Sequence, residues 1–186
     1  VEQARQLGLG RIGWVVSSLG DLQAIMAVSD QENCFAIKGN EAGGIAGADT
    51  LFTLYAAVLD WLEQAGKKTA LHVWGGVATP EAAAAFIATG AAGVFFESVH
   101  WLTDLVGLPE ACQKKIEQLR PDHTRLIGLQ CQKPCRVFDK GNSRAAKLAQ
   151  QYAFSSKETR DWLNYLQDHL ISPLHSRWGT DQLIPL

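Results

Sequence analysis

Leu71-His72-Val73-Trp74-Gly75-Gly76-Val77-Ala78-Thr79-Pro80-Glu81 decides the fold. Its first four residues are a mostly apolar run without polar alternation, as expected of a strand covered on both faces in a parallel sheet. Two glycines then permit a tight turn. Thr79 can cap a helix by accepting an orphan backbone N–H, Pro80 suits the first helical position, and Glu81 places an acid in the first turn. Strand, turn and capped helix together make one βα unit.

The same grammar recurs on either side. Strand-like runs are Gly13–Val16, Cys34–Lys38 and Gly93–Phe96, and helical stretches are Leu19–Ser29, Thr50–Gln64 and Pro80–Ala88, with a shorter helical piece near Val99–Val106. Ser18 or Asp21 can cap the first helix. In the second, Leu51, Leu54, Tyr55, Val58, Leu59 and Leu62 form one apolar stripe at helical spacing. Gly66 and Gly90 follow the second and third helices, where a left-handed residue ends the turn. Strand–helix units joined by short turns require right-handed crossovers. The sequence therefore predicts an α/β fold of four parallel βα units over residues 1–107, and four is half of eight.

After Gly107 the pattern changes. Residues 108–186 are predicted to form a helical C-terminal extension: helices at Leu108–Arg120, Ser143–Tyr152 and Lys157–Leu170, a polar Pro-bearing stretch through Pro134, and a short extended piece at Cys135–Phe138. Trp162, Leu163, Leu166, His169 and Leu170 share one face of the last helix. The chain opens on Val1 in a helical-looking stretch, so it is expected to be a piece of something longer.

Composition narrows the function classes. With 186 residues, 47% of them hydrophobic, the chain can bury a core. A net charge of −2 offers no basic field for nucleic acid or anionic lipid. No apolar run reaches bilayer length, and no signal peptide is visible. Of the four cysteines only Cys131 and Cys135 are close in sequence. Two thiolates do not complete a zinc site, so no metal is expected, and reduced structural thiols in a cytoplasmic protein are the reading.

Three turns could carry chemistry. Lys38-Gly39-Asn40-Glu41-Ala42-Gly43-Gly44 follows the second strand, at the end of a parallel strand where ligands sit; it could equally be a plain flexible turn. Gly75-Gly76 exposes consecutive N–H groups that can hold an anion. Gly90-Ala91-Ala92-Gly93-Val94-Phe95-Phe96-Glu97-Ser98 runs through the fourth strand into its turn, where Ser98 adds a hydroxyl and a backbone N–H and the Glu97 side chain is expected to point away from any phosphate. Neighbouring parallel strands lie about 4.8 Å apart, close enough for two such turns to share one phosphate.

In that order, these turns resemble the nitronate monooxygenase and FMN-dependent enoyl-reductase-like family, in particular the version fused to polyketide or polyunsaturated fatty acid synthases. The resemblance covers residues 10–107. It implies a TIM barrel with FMN at its C-terminal mouth, these four units being strands five to eight. Carried across, Gly75, Gly76, Glu97 and Ser98 hold the FMN phosphate, chiefly by backbone N–H. Lys38, Gly39 and Gly44 lie along the flavin, with the Lys38 ammonium near its pyrimidine edge favouring the anionic reduced form. The implied substrate is an acyl or nitronate-like small molecule. The implied partner is the missing N-terminal half of the barrel or another copy.

One departure bears on activity. The family places a histidine directly after Glu-Ala-Gly-Gly as its acid or base, and here that position is Ile45. No residue is assigned a catalytic role: His72 lies within a strand and reads as packing, and His100 as a surface residue. Three readings stand: a flavin oxidoreductase domain, a non-catalytic degenerate barrel serving as a scaffold or docking module, and another phosphate-binding α/β barrel enzyme.

Overall fold

The computed structural model describes residues 13–28, 34–97, 110, 114, 117–118, 120–139, 144–155 and 158–171. In chain order the elements are β1 (Gly13–Val16), α1 (Leu19–Val28), β2 (Cys34–Lys38), β3 (Gly44–Ile45), α2 (Leu51–Gln64), β4 (Ala70–Trp74), α3 (Pro80–Ala88), β5 (Gly93–Phe95), β6 (Thr124–Ile127), β7 (Cys135–Phe138), α4 (Arg144–Ser155) and α5 (Thr159–Leu166). The chain forms two compact units: Val1–Gly39 with Asp49–Phe95, and Asn40–Ala48 with Phe96–Leu186.

The first unit is a four-stranded, all-parallel sheet in the order β1-β2-β4-β5. Its helices start and stop where local chemistry dictates. Ser18 Oγ accepts the Asp21 N–H at 3.1 Å and Asp21 Oδ2 accepts the Ser17 N–H at 3.3 Å, closing the start of α1. Thr50 and Thr79 cap α2 and α3 by accepting the N–H groups of Thr53 and Ala82. Gly66 and Gly90 follow these helices at φ of 61° and 98°, the left-handed region. Leu51, Leu54, Tyr55, Val58 and Leu62 of the α2 stripe are buried and join Phe35, Ile37, Leu71 and Val73 in one core.

Those strand residues point to the helices, so the alternate positions point to the opposite face. There the register aligns Val15, Ala36, His72 and Gly93, and beyond them Lys38, Trp74 and Phe95. Val15 is 56% exposed and Phe95 44% exposed, so this second face is only partly covered.

The second unit contains a three-stranded antiparallel sheet, β3-β7-β6, with α4 and α5. Its core gathers Ile127, Cys131, Cys135, Val137, Ala146, Ala149, Ala153, Trp162 and Leu166. Two features add to the sequence reading here. The polar stretch before Pro134 holds β6 and a 3₁₀ turn at Leu129–Cys131. The glycine-rich run is not only a turn, because Gly44–Ile45 pairs with β7. Cys135–Phe138 is a strand as expected, and two of the three helices expected in the extension are seen, at Arg144–Ser155 and Thr159–Leu166. Cys131 and Cys135 are not joined in a disulfide. Burial pushes the Cys131 thiol pKa up. The expected helical piece near Val99–Val106 lies outside the described residues, as does most of the Leu108–Arg120 helix.

Candidate functional site

In the first unit, β2, β4 and β5 bring Lys38, Trp74 and Phe95 to one row at the C-terminal tips of the strands. The Lys38 ammonium lies 4.5 Å from the centroid of the Trp74 ring, and Trp74 stacks on Phe95 at 5.1 Å with 25° between planes. The row is thus a cation over an aromatic pair, held by cation–π attraction and offset stacking. Gly39 donates its N–H to the Trp74 carbonyl at 2.9 Å, which extends the pairing past the end of β2.

Trp74 Nε1 is buried, with no hydrogen-bond acceptor among the described residues. An unsatisfied buried donor costs about 1–3 kcal/mol, and buried tryptophan N–H groups ordinarily find a partner. Directly after Trp74 the chain turns through Gly75 and Gly76, at φ of 122° and 64°. A side chain at either position would strain the backbone, so glycine is what lets the chain leave β4 sharply and enter α3. One layer deeper, the His72 ring packs where Gly93 leaves room. A Cβ on residue 93 would come within 2.8 Å of the imidazole. His72 also meets Phe95 edge-on at 6.1 Å, so it packs within the sheet face, as its position within a strand suggests.

In the second unit, the segment Asn40–Ala48 is fastened at several points. Arg136, opposite Gly44 in the β3–β7 ladder, donates from Nε to the Asn40 carbonyl at 2.6 Å and from Nη1 to Thr124 Oγ1 at 2.9 Å. Burial of this guanidinium lowers its pKa, and the Glu41 carboxylate partly opposes that shift. Glu97 Oε2 accepts the Gly43 N–H at 2.8 Å. Asn40 Nδ2 donates to the Ala48 carbonyl and Ala46 N–H to the Pro134 carbonyl, each at 2.8 Å. Ile45 packs against the second core. Where the resembled family has a proton-transferring histidine, this chain has an apolar anchor.

The sequence-derived site residues therefore fall into two groups. Lys38, Gly39, Gly75 and Gly76 belong to the strand tips of the first unit, while Gly44 and Glu97 belong to the second; Ser98 lies outside the described residues. The Glu97 side chain is engaged with Gly43. Trp74, Phe95 and Arg136 are not among the sequence-derived site residues. The signals were there: an indole directly before Gly-Gly at a strand end, and a cation within the otherwise apolar Cys135–Phe138. Among the described residues, no three His, Cys, Asp or Glu side chains gather as a metal site. None of the described helices is long and apolar enough to cross a membrane.

No protein-family model matches the chain, and no curated protein matches it. Solved structures do. FabK from Thermotoga maritima matches with a TM-score of 0.71 at 18% identity, over all of this chain and 56% of that one. A mutant of the same FabK matches with a TM-score of 0.67 at 16% identity, over 100% of this chain and 54% of that one. Nitroalkane oxidase from Streptomyces ansochromogenes matches with a TM-score of 0.62 at 18% identity, over 97% of this chain and 52% of that one. The chain thus spans about half the length of the structures it matches. At these identities the likeness speaks for the fold: α/β, with parallel βα units that make up half of a TIM barrel.

Proposed function

We propose that this chain is part of an FMN-binding oxidoreductase of the nitronate monooxygenase and enoyl-reductase-like kind, a domain of a polyketide or fatty-acid synthase acting on an acyl or nitronate-like substrate. The observation that carries the proposal is the strand tip of the first unit. There a glycine turn with two positive φ values follows an indole whose buried N–H has no acceptor, beside a lysine. These features fit the cofactor. The Gly75–Gly76 turn suits a phosphate, the indole N–H lacks an acceptor that a flavin ring can offer, and the Lys38 ammonium suits a ring edge that gains negative charge. Bound FMN supplies hydride transfer at its N5; the protein's part is to hold and orient the ring. The proposed partner of the partly covered sheet face is a second set of four βα units, from a further segment or another copy, since an open parallel sheet leaves unpaired edges.

One observation favours a second reading. Ile45 is packed against a hydrophobic core and transfers no proton, which suits a barrel kept as a scaffold or docking module. Incubating the purified full chain with FMN and removing the excess tests the cofactor. A retained flavin absorbance band is expected, and a chain that stays colourless at saturating FMN contradicts the proposal. Reduction of the retained flavin by NAD(P)H or by a nitronate then separates enzyme from scaffold.

A further inference from the structure

We propose that Trp74 reads the ring of the bound ligand: its indole N–H donates to an acceptor on a planar heteroaromatic ring that settles at the Lys38–Trp74–Phe95 row. The inference rests on the FMN reading and gives that site a ring-recognition element outside the phosphate turn. Three observations meet here. The register places the three side chains at the same level on neighbouring strands. The indole is stacked on Phe95 and lies under the Lys38 ammonium, so its plane is held in place. Its N–H is the group that this arrangement leaves unsatisfied.

A ligand able to repair this deficit needs specific chemistry. It must be planar to fit beside a stacked aromatic pair, it must carry a ring nitrogen or carbonyl as acceptor, and it benefits from an electron-rich edge near a cation. A sugar phosphate has no such ring. The exposed face of Phe95, at 44% exposure, offers apolar area to the same ligand. The acceptor must approach Nε1 in the plane of the indole, along the N–H bond, whereas the Lys38 ammonium lies over the ring. Trp74 is then a specificity-determining residue: it favours ring-bearing ligands over those that offer phosphate alone.

The test compares the full chain with the W74F and W74A variants against riboflavin (ring without phosphate), FMN and ribose 5-phosphate (phosphate without ring). W74F keeps an aromatic plane and removes the donor. It is expected to weaken riboflavin and FMN about tenfold each, roughly 1.4 kcal/mol, and to leave ribose 5-phosphate within about twofold. W74A removes the plane as well and is expected to weaken riboflavin further. In the unaltered chain, riboflavin is expected to displace FMN, and its failure to do so overturns the inference without any variant. If W74F binds both flavins as the unaltered chain does, ring recognition by Trp74 is overturned while the FMN reading stands. Loss of all three ligands in W74F shows a structural role for Trp74 and overturns the inference too. Binding of ribose 5-phosphate but neither flavin by the unaltered chain overturns the FMN reading itself and the inference with it.

Discussion

Each compact unit contains a tryptophan whose indole N–H is shut away from water, and the two are treated differently. In the second unit, Trp162 is fully buried, donates from Nε1 to the Lys133 carbonyl at 2.8 Å, and lies parallel to Tyr165 at 6.0 Å. Gly128 passes so close that a Cβ there would come within 2.5 Å of the indole. In the first unit, Trp74 is stacked and capped by a cation, yet its donor has no acceptor. A tryptophan that serves the core is paired by the chain's own backbone. The contrast is what supports the proposed ligand-reading role of Trp74, since its one polar group stays unmet at a strand tip while that of Trp162 is paired.

The sharpest test of this contrast lies at Gly128. G128A forces a methyl into the Trp162 ring at a backbone φ of 76°. Overpacking and left-handed strain together are expected to cost about 2–4 kcal/mol. Thermal unfolding followed by circular dichroism should show a large fall in Tm; a fall of less than a degree would mean that the Trp162 pocket yields easily and the second core is not tightly fitted.

The next effect in size compares the two indoles directly. W162F removes the donor that Trp162 offers to the Lys133 carbonyl and opens a cavity, for an expected loss of about 3 kcal/mol. W74F removes a donor that was already unsatisfied, so its stability is expected to stay level or rise by up to about 1 kcal/mol. Denaturant titrations of both variants measure this, and equal losses would dissolve the distinction between them.

The smallest effect is alkaline. Tyr165 stacks on Tyr152 at 4.2 Å, and burial, followed by the neighbouring Tyr152, raises its pKa above the usual tyrosine value. The unfolded value is about 10. A raised native value means that the protonated native form is favoured: the contribution is whole below pH ~10 and is lost as pH climbs through the native value. Tyrosinate absorbance followed together with unfolding should show one late-titrating phenol, earlier in Y152F. A native chain whose tyrosines all titrate together near 10 would remove this pair from the account.

Much of the first unit could be read from the chain because its signals are local. Gly13–Val16, Cys34–Lys38 and Pro80–Ala88 match their elements end to end, since apolar runs and caps sit side by side in sequence. The second unit resisted for the opposite reason. Thr124-Arg125-Leu126-Ile127 carries a charge in a short run, and Gly44–Ile45 is a strand only because β7 pairs with it. No neighbouring residue announces that pairing. The candidate site divides the same way. The glycine turn at Gly75–Gly76 was legible from composition, whereas the Lys38–Trp74–Phe95 row exists only once three strands are in register.

The clasp between Arg136 and Asn40 joins residues 96 positions apart in the chain. A ribosome emits the parallel strands and their helices long before it releases the strand that Gly44 and Ile45 must join. The nascent polypeptide can therefore assemble its α/β portion while the Asn40–Ala48 stretch still waits for its partner, and that pairing is a late event in biogenesis.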